Sequence, residues 1–343
     1  DEISPYFLRK ISAIVTTPLT YIINSAIVTG IFPDMWKKSK ITPILKRGDP
    51  TNVSNYRPVS CLPAASKVLE KVLLKQLQRH FEENHLLPVQ QHGFRAGHST
   101  ISALVSMVSE WAHNHDLNHN TGVLLWDLSA AFDTLDPDIL CQKLKLYGAD
   151  DRTVGFFNSF LVNRKQQVRI GDTLSEIKTT SIGCPQGSLL SPIIFLIYIA
   201  DMDMWVRNMK VYGYADDTAS SVHSPDIENV IAELESDGIN MLRFMASNGL
   251  VANPDKTGLL VIRAHGVAQD LRSVTLGGKV ITETTTHKVL GLTINNKLTW
   301  DDHVRGKGGL VSSLNNKLGA IRRLSYHVPS SYMTVITKAI LVS

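Results

Sequence analysis

A mixed α+β fold is what the sequence predicts, on three observations. Stretches with apolar residues three and four apart, the period of a helix face, alternate with short apolar or β-favouring runs bounded by turn residues. Two of the short runs carry aspartate at their ends. The 343 residues, 43% hydrophobic and 19% charged, hold no repeats or low-complexity linkers and are enough to bury the cores of about two or three subdomains.

The other bulk properties exclude only broad classes. A net charge of +4 and a pI near 8.8 fall short of the footprint of a dedicated nucleic-acid-binding domain, so charge decides nothing. Cys61, Cys141 and Cys184 are odd in number and scattered, which suits neither a disulfide framework nor a zinc site. A reducing, intracellular compartment is expected, cytoplasmic or nuclear. The longest apolar run, Ile193 to Ala200, is too short to cross a bilayer and no signal-peptide pattern opens the chain, so no membrane partner is expected. A start at Asp1 and an end at Ser343 inside an apolar pattern suggest a piece of something longer.

In order, Ile3 to Ile31 has helical spacing ending at Gly30, and Phe32 to Trp36 is a turn. Lys37, Lys38, Lys40, Lys46 and Arg47 then surround the apolar piece Ile41 to Leu45, and Gly48-Asp49-Pro50 forces a turn. This segment is either a basic hairpin over a phosphate or a solvated charged face. Asn55-Tyr56-Arg57-Pro58 leads into a helix from about Ser66, with Pro88 its latest end. Gln91 to Thr100 mixes glycine, histidine, Phe94, Arg95 and hydroxyls; it suits contact with a nucleic-acid backbone and its bases, or equally the capping of the helix that follows. His113, His115 and His119 match no zinc spacing and are expected to be solvated.

Val123 to Trp126 is expected to be a buried strand that delivers Asp127 at its end. Asp136-Pro137 gives an N-cap with proline at the first helical position, and a second helix runs from about Arg152 to Leu161, before a hairpin at Gly171-Asp172. The loop Ser181 to Pro192 feeds an apolar helix to about Met204. Val211 to Val222 is a hairpin whose tip is Asp216 and Asp217, two like charges that repel unless a cation sits opposite; an ordinary Asp-rich turn is the plain alternative. A helix from about Asp226 stops at Asn248-Gly249, Asn253 to Thr257 is a turn, and Gly258 to Ile262 is a strand. His287 to Ile294 is expected to pair with Val280-Ile281-Thr282, and the chain is helical from Trp300 on.

Carboxylates on separate strands can hold two Mg²⁺ ions about 3.5 to 4 Å apart for in-line phosphoryl transfer, the chemistry of polymerases and nucleases. Three segments, in order, resemble reverse transcriptases: Trp126 to Asp133 their first catalytic strand, Gly183 to Pro192 their nucleotide-and-template loop, and Tyr214-Ala215-Asp216-Asp217 their catalytic hairpin. Asn55 to Pro58, Gly93-Phe94-Arg95 and Ala131-Phe132-Asp133 resemble the non-LTR retrotransposon (LINE) kind, and the resemblance covers about Ile31 to Thr299. Cys184 departs from it, standing where the family usually has valine or another branched apolar residue.

The resemblance implies a right-hand polymerase fold: fingers over residues 1–120, a palm with a small antiparallel sheet over 121–299 carrying an insertion near 150–180, and a partial helical thumb over 300–343. It implies RNA-directed DNA synthesis, a primer 3′-hydroxyl attacking the α-phosphate of a deoxynucleoside triphosphate, with two Mg²⁺ (or Mn²⁺) ions, an RNA template and a DNA primer. By position, Asp127 and Asp216 would be metal ligands, Asp217 a weaker ligand or electrostatic support, and Leu128 a ligand through its backbone carbonyl. Lys46 and Arg57 would face the triphosphate, Gln186 would lie against the sugar, Phe132 would bar a 2′-hydroxyl, and Lys256 would protonate the leaving pyrophosphate. The plain alternatives are a core role for Phe132 and a solvated turn lysine for Lys256. Two rival functions stand beside this one: a polymerase-like module that binds RNA or primer-template without turnover, and an intron-encoded maturase. Group II intron proteins share the Tyr-Ala-Asp-Asp hairpin but tend to differ in the first catalytic strand and the Pro-Gln-Gly loop.

Overall fold

The computed structural model describes residues 3–46, 48–129, 131–252, 256–266 and 270–342. Arg47 of the basic segment, Ala130 of the first catalytic strand motif and Asn253-Pro254-Asp255 of the expected turn lie outside the described residues. The chain divides into two compact units, one made of Asp1–Ala103, Trp126–Ser220 and Ser236–Thr257, the other of Leu104–Leu125, Ser221–Glu235 and Gly258–Ser343.

The first unit opens with helices Pro5–Lys10 and Ser12–Thr29, so the expected single helix is broken at Ile11, which leaves helical geometry. Gly30 ends the second helix at φ 69°, and a Cβ there would meet the Arg152 carbonyl oxygen at 2.8 Å, so glycine is required on two counts. Ser12–Thr29 is mostly exposed and is long and apolar enough, by length and composition, to cross a membrane. It is not an uninterrupted apolar run: Thr, Ser, Pro and Asn interleave its aliphatic residues.

The basic segment forms the strand Lys38–Leu45, paired antiparallel with Tyr56–Cys61 so that Ile44 faces Arg57. On its other edge it pairs in parallel with Arg164–Ile170, Lys38 opposite Lys165. Two short strands, Thr173–Leu174 and Lys178–Thr180, complete this sheet. Behind it Phe32 is fully buried against Trp36, Phe156 and Phe160, ring centroids 5.0 to 6.1 Å away.

Helix Ala64–Glu83 packs in the same unit as Ser191–Ile199, whose residues Ile193 to Ile199 are all buried. The apolar helix ends at Ile199 rather than near Met204: Lys143 Nζ donates to the Tyr198 carbonyl at 2.6 Å and to Asp201 Oδ1 at 2.5 Å, a cation on the last turn that closes the helix. The hairpin strands are Lys210–Tyr214 and Asp217–Ser224, and helix Ile227–Ser247 stops where expected, with Gly249 at φ 63° and Leu250 N–H donating to the Met245 carbonyl at 2.8 Å.

In the second unit, the five buried residues of Gly258–Ile262 pair antiparallel with the first half of Asn120–Ser129. Ser273–Leu276 pairs with Lys279–Thr282, and Thr286–Val289 with Leu292–Asn295. The expected pairing of Val280-Ile281-Thr282 with His287 to Ile294 is therefore wrong. Gly277 and Gly278, at φ 58° and 82°, supply the two left-handed positions of a tight hairpin and join the nearer strands instead. His115 and His119 are half-buried rather than solvated, their rings against His265 and His223 at 4.5 and 5.6 Å. Helices Asp301–Arg305, Leu310–Leu324 and Ser330–Val342 end the chain.

Candidate active site

Three aspartates lie in one neighbourhood of the first unit, close enough for the charges of Asp216 and Asp127 to act on Asp217. Asp127 lies near the end of Asn120–Ser129, and that end is fixed by Trp126 Nε1 donating to Ser220 Oγ at 2.8 Å and by pairing of Leu128 with Ala252. Ala215 turns the hairpin in the left-handed region, φ 59°, and sets Asp216 in the turn and Asp217 at the first position of the returning strand. Both hairpin aspartates are exposed. Desolvation by the surrounding chain, then the negative charges of Asp216 and Asp127, push the Asp217 carboxyl above the usual range. Lys256 Nζ sits 3.0 Å from Asp127 Oδ2, with both side chains substantially exposed, and supplies part of the missing positive charge.

This donor set is all oxygen and crowded with like charge, which fits a hard divalent cation such as Mg²⁺ or Mn²⁺. Among the described residues no three acidic, histidine or cysteine groups already converge as a cage, and Lys256 holds one oxygen of Asp127. A cation binding here would therefore displace that ammonium.

A second cluster follows Asp127 along the chain. Phe132 is half-buried, stacked on the buried Phe195 at 4.7 Å and edge-on to Phe94 at 6.4 Å. The next residue, Asp133, accepts from Gln186 Nε2 through both carboxylate oxygens, at 2.9 and 3.0 Å. The Gln186 loop is docked by backbone bonds: Cys184 N–H to the Phe132 carbonyl at 2.8 Å, Gly183 N–H to that of Leu135 at 2.7 Å, and Ser60 N–H to that of Gln186 at 2.6 Å. Cys184 is 4% exposed and burial pushes its thiol up to about 12, so it acts as a small apolar filler at a position where the resemblance leads one to expect a branched residue.

The structure thus brings Asp127, Asp216, Asp217 and Lys256 together and joins Phe132 to Gln186 through Asp133. Lys46, just past the end of strand Lys38–Leu45, and Arg57, on the neighbouring strand Tyr56–Cys61, are both exposed, and Arg57 shares its strand with Ser60, which holds Gln186. Leu128 is buried beside Asp127.

Several residues of this neighbourhood escape sequence reading. Arg95 makes a forked pair with Glu82 at 2.6 and 2.8 Å and donates to the carbonyls of Pro88 and Gln91, so it braces its own loop. That brace sets Gln91 to Gly93 against the hairpin: His92 N–H donates to the Gly213 carbonyl at 2.8 Å, and a Cβ on Gly93 would collide with Ala215 N. Ser99 and Ser102 exchange bonds at the start of helix Thr100–Asp116, so this stretch is a cap as well. The Gly93-Phe94-Arg95 motif gave a signal, but not that its glycine touches the hairpin.

Comparison with known proteins settles the family. Residues 44–294 match the family described as reverse transcriptase (RNA-dependent DNA polymerase). The chain belongs to it. Its relatives include the RNA-directed DNA polymerase from mobile element jockey of Drosophila melanogaster, 30% identical over 83% of this chain and 32% of the relative, and the probable RNA-directed DNA polymerase from transposon BS of the same fly, 27% identical over 84% and 32%. This is the non-LTR, LINE-type branch that the motifs resemble. The chain spans about a third of the length of these relatives. Among solved structures, apo telomerase from Candida tropicalis superposes with a TM-score of 0.53 at 13% identity, covering 84% of this chain and 59% of that one, which places the chain in a polymerase fold.

Proposed function

We propose that this reverse transcriptase region performs RNA-directed DNA synthesis, adding a deoxynucleotide to a primer 3′-hydroxyl opposite an RNA template. The observation that carries the reading is the trio of like charges Asp127, Asp216 and Asp217, half-buried and exposed at strand ends and the hairpin turn, in a family whose chemistry is phosphoryl transfer. Asp127 and Asp216 would hold the divalent ions, Mg²⁺ before Mn²⁺, with the Leu128 carbonyl and Asp217 in support. When bound, the ions supply charge neutralisation at the attacking and leaving oxygens.

The chain's own residues do the rest. Lys46 and Arg57 offset the triphosphate charge, and the Arg57 fork suits two phosphate oxygens at once. Gln186, steadied by Asp133, lies along the sugar, and Phe132, propped by Phe195, closes the space where a 2′-hydroxyl would sit. The new bond joins the primer oxygen to the α-phosphorus, and the bond to pyrophosphate breaks. Lys256, released from Asp127, gives its proton to the departing pyrophosphate. Hand-like subdivision follows the same reading: fingers over residues 1–120, a palm over 121–299 with the insertion near 150–180 contributing strands to the finger sheet, and a partial thumb over 300–343.

The test is primer extension on an RNA template with Mg²⁺ or Mn²⁺. Template-dependent DNA product supports the reading. Tight primer-template binding with no product would establish the binding-module alternative, and selective binding of a structured intron RNA the maturase alternative.

A further inference from the structure

Gln186 is restrained by Ser60 and by Asp133, and its loop is restrained again, two residues on, by a buried carboxylate with no task in the chemistry above. Glu70, on helix Ala64–Glu83, has no exposed surface. Its Oε2 accepts from Ser188 Oγ at 2.6 Å and from Leu189 N–H at 2.8 Å, and its Oε1 from Ser66 Oγ at 3.1 Å. Where a helix merely packs against a loop, apolar residues of like volume hold at least as well as a buried charge. A buried carboxylate differs from them in fixing the direction of the groups that bond to it.

The direction matters here because of what the loop does next to it. Gly187 sits at φ 125°, a conformation L side chains rarely adopt, and a Cβ there would lie 2.5 Å from the Ser60 carbonyl oxygen. Ser188 Oγ also accepts from Leu190 N–H at 3.0 Å, so the bonds to Glu70 gather the loop at the start of helix Ser191–Ile199, where a negative charge is favoured. Residues 186–189 therefore span two supports, strand Tyr56–Cys61 on one side and Glu70 on the other.

We propose that Glu70 is a positioning residue for nucleotide binding: through Ser188 and Leu189 it fixes the Gly187 turn and so the placement of the Gln186 side chain against the incoming sugar. The inference rests on the polymerase reading of this site. Arg164, 4% exposed, lies close enough for its charge to feel Glu70, so removing that carboxylate disturbs a second buried ion. Ser188→Ala avoids this by deleting one anchor and leaving the charges in place.

The expected result for Ser188→Ala is a KM for the deoxynucleotide raised about five- to tenfold with kcat within about twofold of wild type. In a Gln186→Ala background the same change adds nothing further, because its effect is exerted through Gln186. Glu70→Ala acts in the same direction more strongly. Glu70→Gln recovers most of the loss: its amide oxygen still accepts from Ser188 and Leu189, and its NH₂ can donate to the Ser66 hydroxyl. Independently of turnover, amide hydrogen exchange at Leu189 and Leu190 accelerates in Ser188→Ala. An unchanged KM in folded Ser188→Ala, or a KM effect that multiplies with that of Gln186→Ala, overturns the proposal. If wild-type protein makes no product, the exchange measurement still decides whether Glu70 fixes the loop, so the two readings fail separately.

Discussion

Two groups of carboxylates in the first unit have opposite surroundings. Glu70 is sealed from water and receives three hydrogen bonds. Asp216 and Asp217 face solvent and Asp127 is half-buried; the Asp217 carboxyl is pushed up by desolvation and by the charges of the other two, and Lys256 sits against Asp127. Charge that the chain itself compensates is architecture. Charge that it gathers with less compensation is what a site for an arriving cation requires, and the difference can be tested by removing each.

The largest effect is expected at the aspartate trio. Asp127→Asn or Asp216→Asn should lower extension about a thousandfold or more, equivalent to roughly 4 kcal/mol of barrier, with template-primer binding little changed. Because these groups repel, thermal unfolding should stay put or rise by about 1–2 °C. Near wild-type extension by Asp216→Asn would remove it from the chemistry; a marked fall in Tm would make the trio structural. Next comes the support of the hairpin. Gly93→Ala places a methyl against the Ala215 nitrogen and the Tyr214 carbonyl carbon, backbone atoms that cannot swing aside. Overpacking of this kind destabilises by about 1–3 kcal/mol, seen as a lower denaturation midpoint, with extension falling about tenfold or more as the aspartates shift.

Substrate selection should change without the loss of stability expected at Gly93. Phe132→Ala is expected to raise ribonucleotide use relative to deoxynucleotide use by about tenfold or more in kcat/KM, since relieving a clash favours the excluded substrate. An unchanged ratio in protein that still extends primers assigns Phe132 to its stack on Phe195 alone. Arg57→Ala should raise nucleotide KM about tenfold, with lysine restoring only part of the loss; a fixed KM would make Arg57 a surface residue of its strand.

The smallest effect is at the brace behind the hairpin. The Arg95 hydrogen bond holds the Glu82 carboxyl below its ordinary 4.5. A depressed carboxyl stabilises the fold above its unfolded pKa and loses that contribution as pH falls through the folded value. The difference in Tm between wild type and Glu82→Gln should therefore be present at pH 6 and shrink on acidification below about 4.5, measured by thermal melts at stepped pH. A difference that is constant across this window would remove the ion pair from the account of the brace.

The trio was legible because each member carries its own local sign: an apolar run ending in Asp127, and β-favouring arms around Asp216 and Asp217. Most helix limits were legible for similar reasons, as at Asp136-Pro137 and Asn248-Gly249. What was not legible is contact across long stretches of chain. Glu70 and Ser188 are 118 residues apart, and Gln186 and Asp133 are 53. Nothing in a helix of Leu, Glu and Lys marks the one glutamate that will point inward. The Ser273–Leu276 and Lys279–Thr282 pair has a local sign, the Gly277-Gly278 turn, beside the longer β-favouring run of His287 to Ile294.

The parallel pairing of Lys38–Leu45 with Arg164–Ile170 bears on how this protein is made. Lys38 meets Lys165, 127 residues later (165 − 38), so on a ribosome adding about 5–20 residues per second the later strand emerges roughly 6 to 25 s after the earlier one. For that interval Lys38–Leu45 has Tyr56–Cys61 on one side and an unpaired edge on the other, the sort of edge on which nascent chains aggregate. Its lysines at positions 38 and 40 are the residue type that natural proteins place on such edges.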